Sequence, residues 1–486
     1  MGYPGPSFAS STPTPFAPSA DKPQNKLWFH DGIWWGSLFS PAAGSDGNGG
    51  FTIHRLDLST QTWVDTGTPI DERNSSRADT LPDGSQLYVA SLLVDSPGTA
   101  RLMRYQYDAG AKVYRLDAGF PVAIPAPGPI ETISLEKDSR GNLWVAYESG
   151  GDAYVAHTSG NDAVFGAPYV IPVPRGATGL DPDDIAAVVS YGRRIGVMWS
   201  NQGDGAMYFA SHRDGRGDGA ADWSLDTALR RPGYADDHIN LKSLQGDSAG
   251  RIFAAVKTSL DDNPASGANA PQVLLLVLRP GSKWTRHVFG RVRDDHTRPI
   301  VLTNRRTRKL YMFATAPTEG GSIYYKETSL DRISFPRGRG RAFIQSSGDP
   351  QVNDASSTRQ DLSSAPTLVV LASDGSTSRY LHNVLSLRDR TRPKMRRLRV
   401  RPGAFTASRR ATIVFTLSES ARVRFRVERA GRVRGTFSRP ASAGRNRVRL
   451  RRRGLRPGRY RLVAVATDGS GNRSRPRGVG FRITSP

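Results

Sequence analysis

The 486-residue sequence contains no cysteine, which excludes disulfide bonds and thiolate metal sites. No apolar run approaches the ~20 residues of a membrane-spanning helix, and uninterrupted amphipathic helical periods are scarce. Glycine (50 residues) and proline (33 residues) are frequent instead, and they fall mainly between short apolar runs. Short apolar segments separated by turns rich in glycine and proline are typical of β proteins. The predicted fold class is therefore all-β, with no transmembrane segment.

The N-terminal segment 1–25 also lacks the apolar core of a signal peptide. It is rich in serine, threonine and proline, like the start of an exported protein whose signal peptide has been removed. We therefore expect an extracellular or cell-wall-associated protein. A cytoplasmic protein is the alternative.

Positive charge is distributed unevenly along the chain. Residues 391–486 contain 28 arginines and lysines against Glu419, Glu428 and Asp468, a net charge of +25. Because the whole chain carries +24, residues 1–390 carry −1. A chain of this length is expected to divide into domains. The change in charge predicts one domain at residues 26–387 and an arginine-rich domain at residues 391–486.

A short apolar strand recurs at intervals of 52 to 58 residues. Its seven copies are Ile33-Trp34-Trp35, Leu87-Tyr88-Val89, Leu143-Trp144-Val145, Ile195-Gly196-Val197, Ile252-Phe253-Ala254, Leu310-Tyr311-Met312 and Leu368-Val369-Val370. A period near 50 residues with several short strands per copy indicates the blades of a propeller, because each small sheet needs neighbours to cover its faces. The sequence predicts a seven-bladed β-propeller at residues 26–387. The seventh copy lacks a fourth strand, so we expect the segment before Lys26 to supply it and close the ring.

The seven copies resemble BNR-repeat-like, sialidase-like propellers, a group that includes propeller polysaccharide lyases. The Asp-box motif of that group, Ser-x-Asp-x-Gly-x-Thr-Trp, is matched in part at residues 329–335 and 211–215. The resemblance implies a propeller architecture and a glycan substrate.

Polar residues gather at one predicted face of the propeller. The start of each innermost strand and the end of each second strand meet there around the axis, and we call this face the rim. The innermost strands contribute Arg77, Asp79, Glu131, Asp183, Asp184, Asp236, Asp237, His238, Asp294, Asp295, His296, Arg298, Arg359 and Gln360, and the second strands contribute Tyr147, Glu148, Trp199, Asn201, Gln202 and Lys257. Convergent polar groups at a concave opening are the usual ligand site, so we expect the rim to bind the ligand.

The triplet Asp-Asp-His occurs twice on the rim, at 236–238 and 294–296, with the same 58-residue offset as the strands of those two copies. One interpretation is acid–base catalysis, in which His238 or His296 is the base and a neighbouring carboxylate raises its basicity. Lys257 and Tyr147 are further catalytic candidates.

Arginines on the rim extend this interpretation. Arg77, Arg298 and Arg359 would bind a substrate carboxylate, as a polyuronate lyase requires, and the resemblance to sialidases implies a similar arginine trio. Glu131, Trp199 and Asn201 complete the predicted substrate site, which contains these residues: Arg77, Arg298, Arg359, Glu131, Trp199 and Asn201.

Two other interpretations of the rim stay open. A divalent metal ion could be held by Asp237, Asp295 and the two histidines, and mixed histidine and carboxylate ligands suit manganese, iron or zinc better than calcium. Alternatively, the polar side chains hydrogen-bond the backbone between blades and stiffen the ring.

The arginine-rich segment shows about seven short strands between residues 398 and 483. Apolar residues alternate with arginines in 422–427 and 445–450, which predicts strands with one buried and one solvated face. The stretch 455–472 resembles the late strands of bacterial Ig-like and fibronectin type III domains, and this resemblance implies that Tyr460 is the corner tyrosine. We expect an Ig-like β-sandwich with affinity for polyanions such as acidic glycans, cell-wall polymers or nucleic acid. The lack of a base-reading motif argues against sequence-specific binding of nucleic acid.

The leading functional hypothesis is an exported, carbohydrate-directed propeller protein, a lyase or glycoside hydrolase that acts on an acidic glycan at the rim. One alternative is a non-catalytic binding or adhesion protein with a structural polar rim. Another is a metal-dependent propeller enzyme. The sequence is compatible with an enzyme and with a binding protein.

Overall fold

The computed structural model describes residues 2–9, 18–19, 24–44, 47–236, 244–247, 249–346, 351–387, 392–406, 409, 411–450, 454–468 and 471–485. Within these residues the chain forms 37 β-strands and three short 3-10 helices (Ala220–Asp222, Ser259–Asp261 and Val292–Asp294), with no α-helix. None of the described helices is long and apolar enough to cross a membrane. The prediction of an all-β fold is confirmed. The chain divides into two compact units, Met1–Ser386 and Leu387–Pro486.

The first unit begins with strand β1 (Tyr3–Ser7) and continues through seven antiparallel sheets. Sheet 1 contains β2 (Leu27–His30), β3 (Ile33–Ser40), β4 (Gly50–Asp57) and β5 (Thr62–Asp71), and sheet 2 contains β6 (Ser76–Asp83), β7 (Gln86–Leu93), β8 (Arg101–Asp108), β9 (Val113–Leu116) and β10 (Val122–Ala123). Sheet 3 contains β11 (Ser134–Lys137), β12 (Leu143–Ser149), β13 (Asp152–His157) and β14 (Tyr169–Val170), and sheet 4 contains β15 (Ala186–Tyr191), β16 (Arg194–Asn201), β17 (Ala206–Arg213) and β18 (Trp223–Arg230).

Three further sheets complete this unit. Sheet 5 contains β19 (Leu244–Gly246), β20 (Ile252–Lys257), β21 (Pro271–Leu278) and β22 (Thr285–Arg291). Sheet 6 contains β23 (Thr297–Asn304), β24 (Lys309–Ala316), β25 (Ser322–Ser329) and β26 (Arg341–Gln345), and sheet 7 contains β27 (Val352–Ser356), β28 (Thr367–Asp374), β29 (Arg379–Ser386) and the N-terminal strand β1.

The seven apolar repeats are the second strands of the seven sheets. All seven of these strands are buried along nearly their whole length: β3, β7, β12, β16, β20, β24 and β28. They read as continuous apolar runs because the sheets pack face to face and both faces of each strand are covered. One core cluster, for example, joins Val189 of sheet 4 to Leu274 of sheet 5. This packing between sheets is what orders the repeats around an axis.

The sheets follow one another in a closed ring. The innermost strands β2, β6, β11, β15, β19, β23 and β27 each contact the next in this order. The circle closes where the Leu27 N–H donates to the Ser357 carbonyl at 3.0 Å, and where β1 pairs with β29 through the partners Tyr3 and His382. The fold is propeller-like, and the expectation that the N-terminal segment supplies a strand to the last sheet is confirmed.

The second unit consists of two sheets. Sheet 8 contains β30 (Met395–Arg401), β32 (Thr412–Leu417) and β35 (Gly444–Arg449), and sheet 9 contains β31 (Ala404–Thr406), β33 (Ala421–Arg429), β34 (Arg432–Ala441), β36 (Gly458–Thr467) and β37 (Arg477–Thr484). Apolar residues of both sheets form one core, with Phe415 from sheet 8 and Phe425 from sheet 9 at 5.7 Å between ring centres. The unit is therefore a β-sandwich.

Two sequence expectations for this sandwich are visible in its strands. In β33 the buried residues alternate with exposed arginines. The Tyr460 hydroxyl donates to the Arg456 carbonyl at 2.7 Å, which is the hydrogen bond of a tyrosine corner. The Ig-like assignment itself stays a prediction.

Candidate functional site

All three arginines predicted to bind substrate are paired with carboxylates of the protein. Arg77 Nη1 lies 3.2 Å from Glu131 Oε1, and Arg298 Nε lies 2.7 Å from Asp354 Oδ1. Both guanidinium groups are largely buried, and desolvated charges of this kind need a partner. Arg298 thus joins sheet 6 to sheet 7, and Arg77 joins sheet 2 to the segment that leads into sheet 3.

The third arginine, Arg359, ties sheet 7 to sheets 2 and 3. Its Nη2 donates to Asp79 and its Nη1 donates to the Leu135 carbonyl. The fully buried Asp79 also accepts the backbone N–H groups of Asn25 at 2.8 Å and Leu135 at 2.9 Å, and Arg359 Nη1 lies 3.5 Å from Glu136 Oε2. Both terminal nitrogens of Arg359 are engaged, so this side chain stabilises the ring.

Lys257 lies in an acidic group and stays protonated. Its Nζ donates to Asp236 at 2.7 Å and lies 3.1 Å from Asp261. Burial alone would lower the pKa of Lys257, but the charges of the two aspartates raise it. The Lys257 ammonium is thus engaged by two internal carboxylates, and a catalytic role for it stays a prediction.

Among the described residues, this acidic group is also the one whose three carboxylates lie close enough together to hold a metal ion. Asp236, Asp261 and Asp262 each offer an oxygen within 4.8 Å of the others. The Lys257 ammonium already bonds two of the three, so a divalent ion would have to displace it. The donor set therefore suits an internal lysine better than a metal.

His296 lies between sheets 5 and 6, where its ring packs against Phe289 of β22 and Tyr324 of β25. Its side chain is fully buried against Phe289, its Nε2 lies 3.1 Å from the Arg339 carbonyl, and a Cβ built on Gly290 would come within 2.3 Å of its Nδ1. Burial, together with the charge of Lys326, lowers the pKa of His296 to about 4. A substrate cannot reach either ring nitrogen, so the predicted catalytic role of His296 is not supported by its position.

The remaining members of the two Asp-Asp-His triplets give no metal site. Asp237 and His238 lie outside the described residues. Asp295 accepts from the Thr318 hydroxyl at 2.7 Å and from its N–H at 3.2 Å, and its other oxygen lies 3.9 Å from Arg339. These contacts hold a turn in which Asp295 has a φ of +57°, and they replace the predicted metal ligation by Asp295.

Three further residues of the predicted site, Tyr147, Trp199 and Asn201, are buried and hydrogen-bonded within the protein. The Tyr147 hydroxyl is buried and donates to the Pro125 carbonyl at 2.8 Å. Trp199 is fully buried, and its Nε1 donates to the Gly176 carbonyl at 2.6 Å, which also accepts from Asn201 Nδ2 at 3.3 Å. None of the three side chains presents a free group at the rim, which corrects their assignment to catalysis and substrate binding.

Among the described residues, three carboxyl groups of sheets 2 to 4 are close enough for the charges of two of them to act on the third. Glu131 lies in the segment that leads into β11, Glu148 near the end of β12, and Asp184 directly before β15. Arg77 pairs with Glu131. Glu131 is the most exposed carboxyl of the three, whereas Glu148 and Asp184 are buried. We call Glu131, Glu148, Asp184 and Arg77 the carboxyl cluster.

Local hydrogen bonds hold the cluster in place. Glu148 Oε1 accepts the Gly151 N–H at 2.7 Å across the turn between β12 and β13. Asp184 Oδ2 accepts the N–H groups of Asp181 at 2.9 Å and Gln202 at 3.2 Å. Both acids are thus oriented by backbone amides, which restricts the directions in which their second oxygens can act.

The pKa of Glu148 lies well above that of an ordinary carboxyl group. Burial raises the pKa of Glu148 to about 7, and the charges of Asp184, Glu131 and Asp152 add to this rise. Burial also raises the pKa of Asp184. A carboxyl group whose pKa lies near the working pH can donate a proton in one step and accept it in the next.

Comparisons with known proteins identify no family. No family model and no curated protein matches this sequence. Among solved structures, a fungal alcohol oxidase of the AA5 family in complex with copper aligns over 99% of both chains with 13% identity and a TM-score of 0.47. The polysaccharide lyase Uly1 aligns over 78% of this chain and 92% of its own with 9% identity and a TM-score of 0.46. An α-L-arabinofuranosidase from Lactobacillus brevis covers 54% of this chain and 93% of its own with 11% identity and a TM-score of 0.33. The function is therefore argued from the residues of this chain.

Proposed function

We propose that the first unit is a carbohydrate-acting enzyme that hydrolyses a glycosidic bond by acid–base catalysis at the carboxyl cluster. The observation that carries this proposal is the electrostatic coupling of Glu148 to Glu131: burial, the charge of Asp184 and the charge of Glu131 raise the pKa of Glu148 to about 7, and Glu131 is paired with Arg77. A pair of carboxyl groups, one of which donates a proton to the leaving sugar, is the minimal equipment of a glycoside hydrolase.

In the proposed reaction Glu148 donates its proton to the oxygen of the leaving sugar as the bond from that oxygen to the anomeric carbon breaks. The Glu131 carboxylate stabilises the positive charge that develops at the anomeric carbon. Water attacks the anomeric carbon and supplies the new hydroxyl group, and the proton that it releases returns to Glu148. Burial, with an added contribution from the charge of Asp184, keeps Glu148 protonated by raising its pKa.

Hydrolysis fits the geometry better than the lyase reaction. A lyase needs a base and cations that are free to bind the uronate, but His296 is buried with a pKa of about 4. Arg298 and Arg359 are bonded to internal carboxylates. An acidic substrate and an extracellular or wall-associated location stay predictions.

The test is a panel of neutral and acidic polysaccharides, assayed for new reducing ends and, separately, for the ultraviolet absorbance of unsaturated ends. We expect reducing ends without absorbance, and activity that falls as the pH rises through about 7, because Glu148 must be protonated. Glu148→Gln should lower the rate by about 10²- to 10⁴-fold, and Glu131→Gln similarly.

The matched control is Glu327→Gln, which removes a carboxylate on the exposed side of sheet 6 and should leave the rate unchanged. Full activity of Glu148→Gln, or unsaturated products, would contradict the proposed reaction. Failure of the wild-type protein to cleave any polysaccharide in the panel would favour the non-catalytic binding protein.

A further inference from the structure

The outer face of sheet 8 carries six arginines in two parallel columns. Strand β32 lies between β30 and β35, and residues directly opposite one another on paired strands share a face. The register gives three rows across the sheet: Arg401, Thr412 and Arg449; Arg399, Val414 and Arg447; and Arg396, Thr416 and Arg445. Each row is an arginine, a small central residue and a second arginine.

A β-bulge in β30 keeps the first column on one face. The pairing shifts between Arg396 and Arg399, and Arg397 between them has a φ of +53°. Without the extra residue, strict alternation would turn Arg396 inward together with Leu398 and Val400. The left-handed conformation is unfavourable for an arginine, so the chain accepts local strain and keeps all three side chains outside.

The six side chains are exposed, and their charges are not neutralised within the described part of the chain. All six arginines are exposed, whereas Thr412, Val414 and Thr416 between them are half-buried. No carboxylate of the described residues pairs with them. The three described acidic residues of this unit lie elsewhere. Glu428 is on β33, where it pairs with Arg426 at 2.6 Å, and Glu419 and Asp468 lie outside the strands.

The spacing of this face suits a linear polyanion. Neighbouring strands lie ~4.8 Å apart and alternate residues on one strand ~7 Å apart, so the columns stand about 10 Å apart with rows about 7 Å apart. Six charges at these distances lie close to one Debye length at physiological salt, about 8 Å, and act together on a partner. The guanidinium group also binds carboxylate or sulfate through two parallel hydrogen bonds.

We propose that the outer face of sheet 8 is a binding surface for a linear acidic polysaccharide. The threonines of the central column offer hydroxyl groups for sugar hydroxyls between the two columns of charge. No aromatic side chain lies in the three rows, so the face lacks the stacking platform on which single-stranded nucleic acid binds. This surface lies on the second unit, and the proposal does not rest on the carboxyl cluster.

The experiment measures binding of the full chain to polygalacturonate, with dextran as the uncharged control. In the test variant Arg399, Arg401, Arg447 and Arg449 are all replaced by glutamine. In the matched control Arg422, Arg424, Arg459 and Arg482, which are exposed on sheet 9, are replaced in the same way. Both variants lose four positive charges, and all eight side chains lie on the surface, so far-ultraviolet circular dichroism should report the same fold for both.

We expect the sheet 8 variant to bind polygalacturonate about 10- to 30-fold more weakly, because each exposed ion pair contributes modestly and four are lost. The sheet 9 variant should lose less than about threefold. The slope of log affinity against log salt concentration should also fall for the sheet 8 variant.

Three outcomes would overturn the proposal. Equal losses in the two variants would show that net charge alone, and not the arranged face, drives binding. No measurable binding of wild-type protein to polygalacturonate at low salt would remove the site. Tighter binding of a DNA duplex that depends on the same four arginines would assign the surface to nucleic acid instead.

Discussion

The two units of this chain use arginine in opposite ways. In the ring, Arg77, Arg298 and Arg359 are largely buried and each is bonded to a carboxylate. On sheet 8 of the sandwich, arginines such as Arg399 and Arg447 are exposed and have no ion-pair partner in the described residues. A buried cation needs a partner because its desolvation is costly, whereas an exposed cation is stabilised by water. Location, and not residue type, thus decides whether an arginine stabilises the fold or is available to a ligand.

The largest effect that separates the two units is expected from Asp79. The substitution Asp79→Ala leaves the Arg359 charge buried without its main partner and removes the acceptor of the Asn25 and Leu135 amides. Loss of one partner of a buried pair should lower the free energy of unfolding by about 3–5 kcal/mol. Urea unfolding followed by tryptophan fluorescence measures this selectively, because all eight tryptophans precede residue 387.

The control for this prediction is an exposed arginine of the sandwich. Arg399→Gln should change the stability by no more than about 0.5 kcal/mol. If Asp79→Ala cost no more than this control, the distinction between buried, paired charges and exposed, free charges would be lost.

Acid should act on the ring and spare the sandwich. The pKa of His296 is about 4 in the folded protein and 6.5 in the unfolded chain, so the unfolded chain takes up the proton first as the pH falls. The contribution of His296 alone to the free energy of unfolding of the ring should therefore decrease by about 3 kcal/mol between pH 6.5 and 4. Burial lowers the pKa of His382 to about 4 as well, which adds a similar loss.

Residues 391–486 contain no histidine, so no histidine titration acts on the sandwich in this range. Calorimetry of the full chain at several pH values should show that the unfolding transition of the ring, which tryptophan fluorescence identifies, moves to lower temperature as the pH falls. In His296→Gln this shift in the unfolding temperature should be smaller, because the contribution of His296 to the loss of stability is removed. An unchanged slope in His296→Gln would contradict the buried, neutral state of this residue.

Salt should have the smallest effect, and it should act mainly on the sandwich, whereas acid acts on the ring. Repulsion among the exposed arginines destabilises the sandwich, and salt screens it. Raising sodium chloride from roughly 0.05 to 0.5 M should stabilise the sandwich by about 1 kcal/mol and the ring, whose charges are paired, by less. Calorimetry resolves the two transitions, and an equal shift of both would remove the electrostatic contrast.

The fold was largely predictable because its pattern is carried by apolar residues. Strands buried on both faces read as continuous apolar runs, and the seven runs recur at nearly constant spacing. The bulge at Arg397 was not predictable, and the sequence placed the start of that strand at Leu398, whereas β30 begins at Met395. A bulge depends on pairing with the neighbouring strand, and one strand alone does not record it.

The rim was predictable as a place, but the roles of its side chains were not. Asp354 and Arg298, which form an ion pair, both have a left-handed backbone conformation, with φ values of +56° and +48°. No local sequence pattern indicates these two conformations. Tyr147 and Glu148 are neighbours on β12 and point to opposite faces. The sequence favours Tyr147, which packs in the core, over Glu148, which belongs to the carboxyl cluster.

The measurement that tests the central claim most directly is the stability difference between wild-type protein and Glu148→Gln from about pH 4.5 to 8, followed by tryptophan fluorescence. Glu148 has a pKa of about 7 in the folded protein and 4.5 in the unfolded chain, so the folded state holds the proton longer and the wild type loses stability as the pH rises through this interval. Glutamine does not titrate and can still accept the Gly151 N–H. We predict that the variant gains up to about 3 kcal/mol relative to the wild type between pH 4.5 and 7. A difference that stays constant with pH would contradict the account.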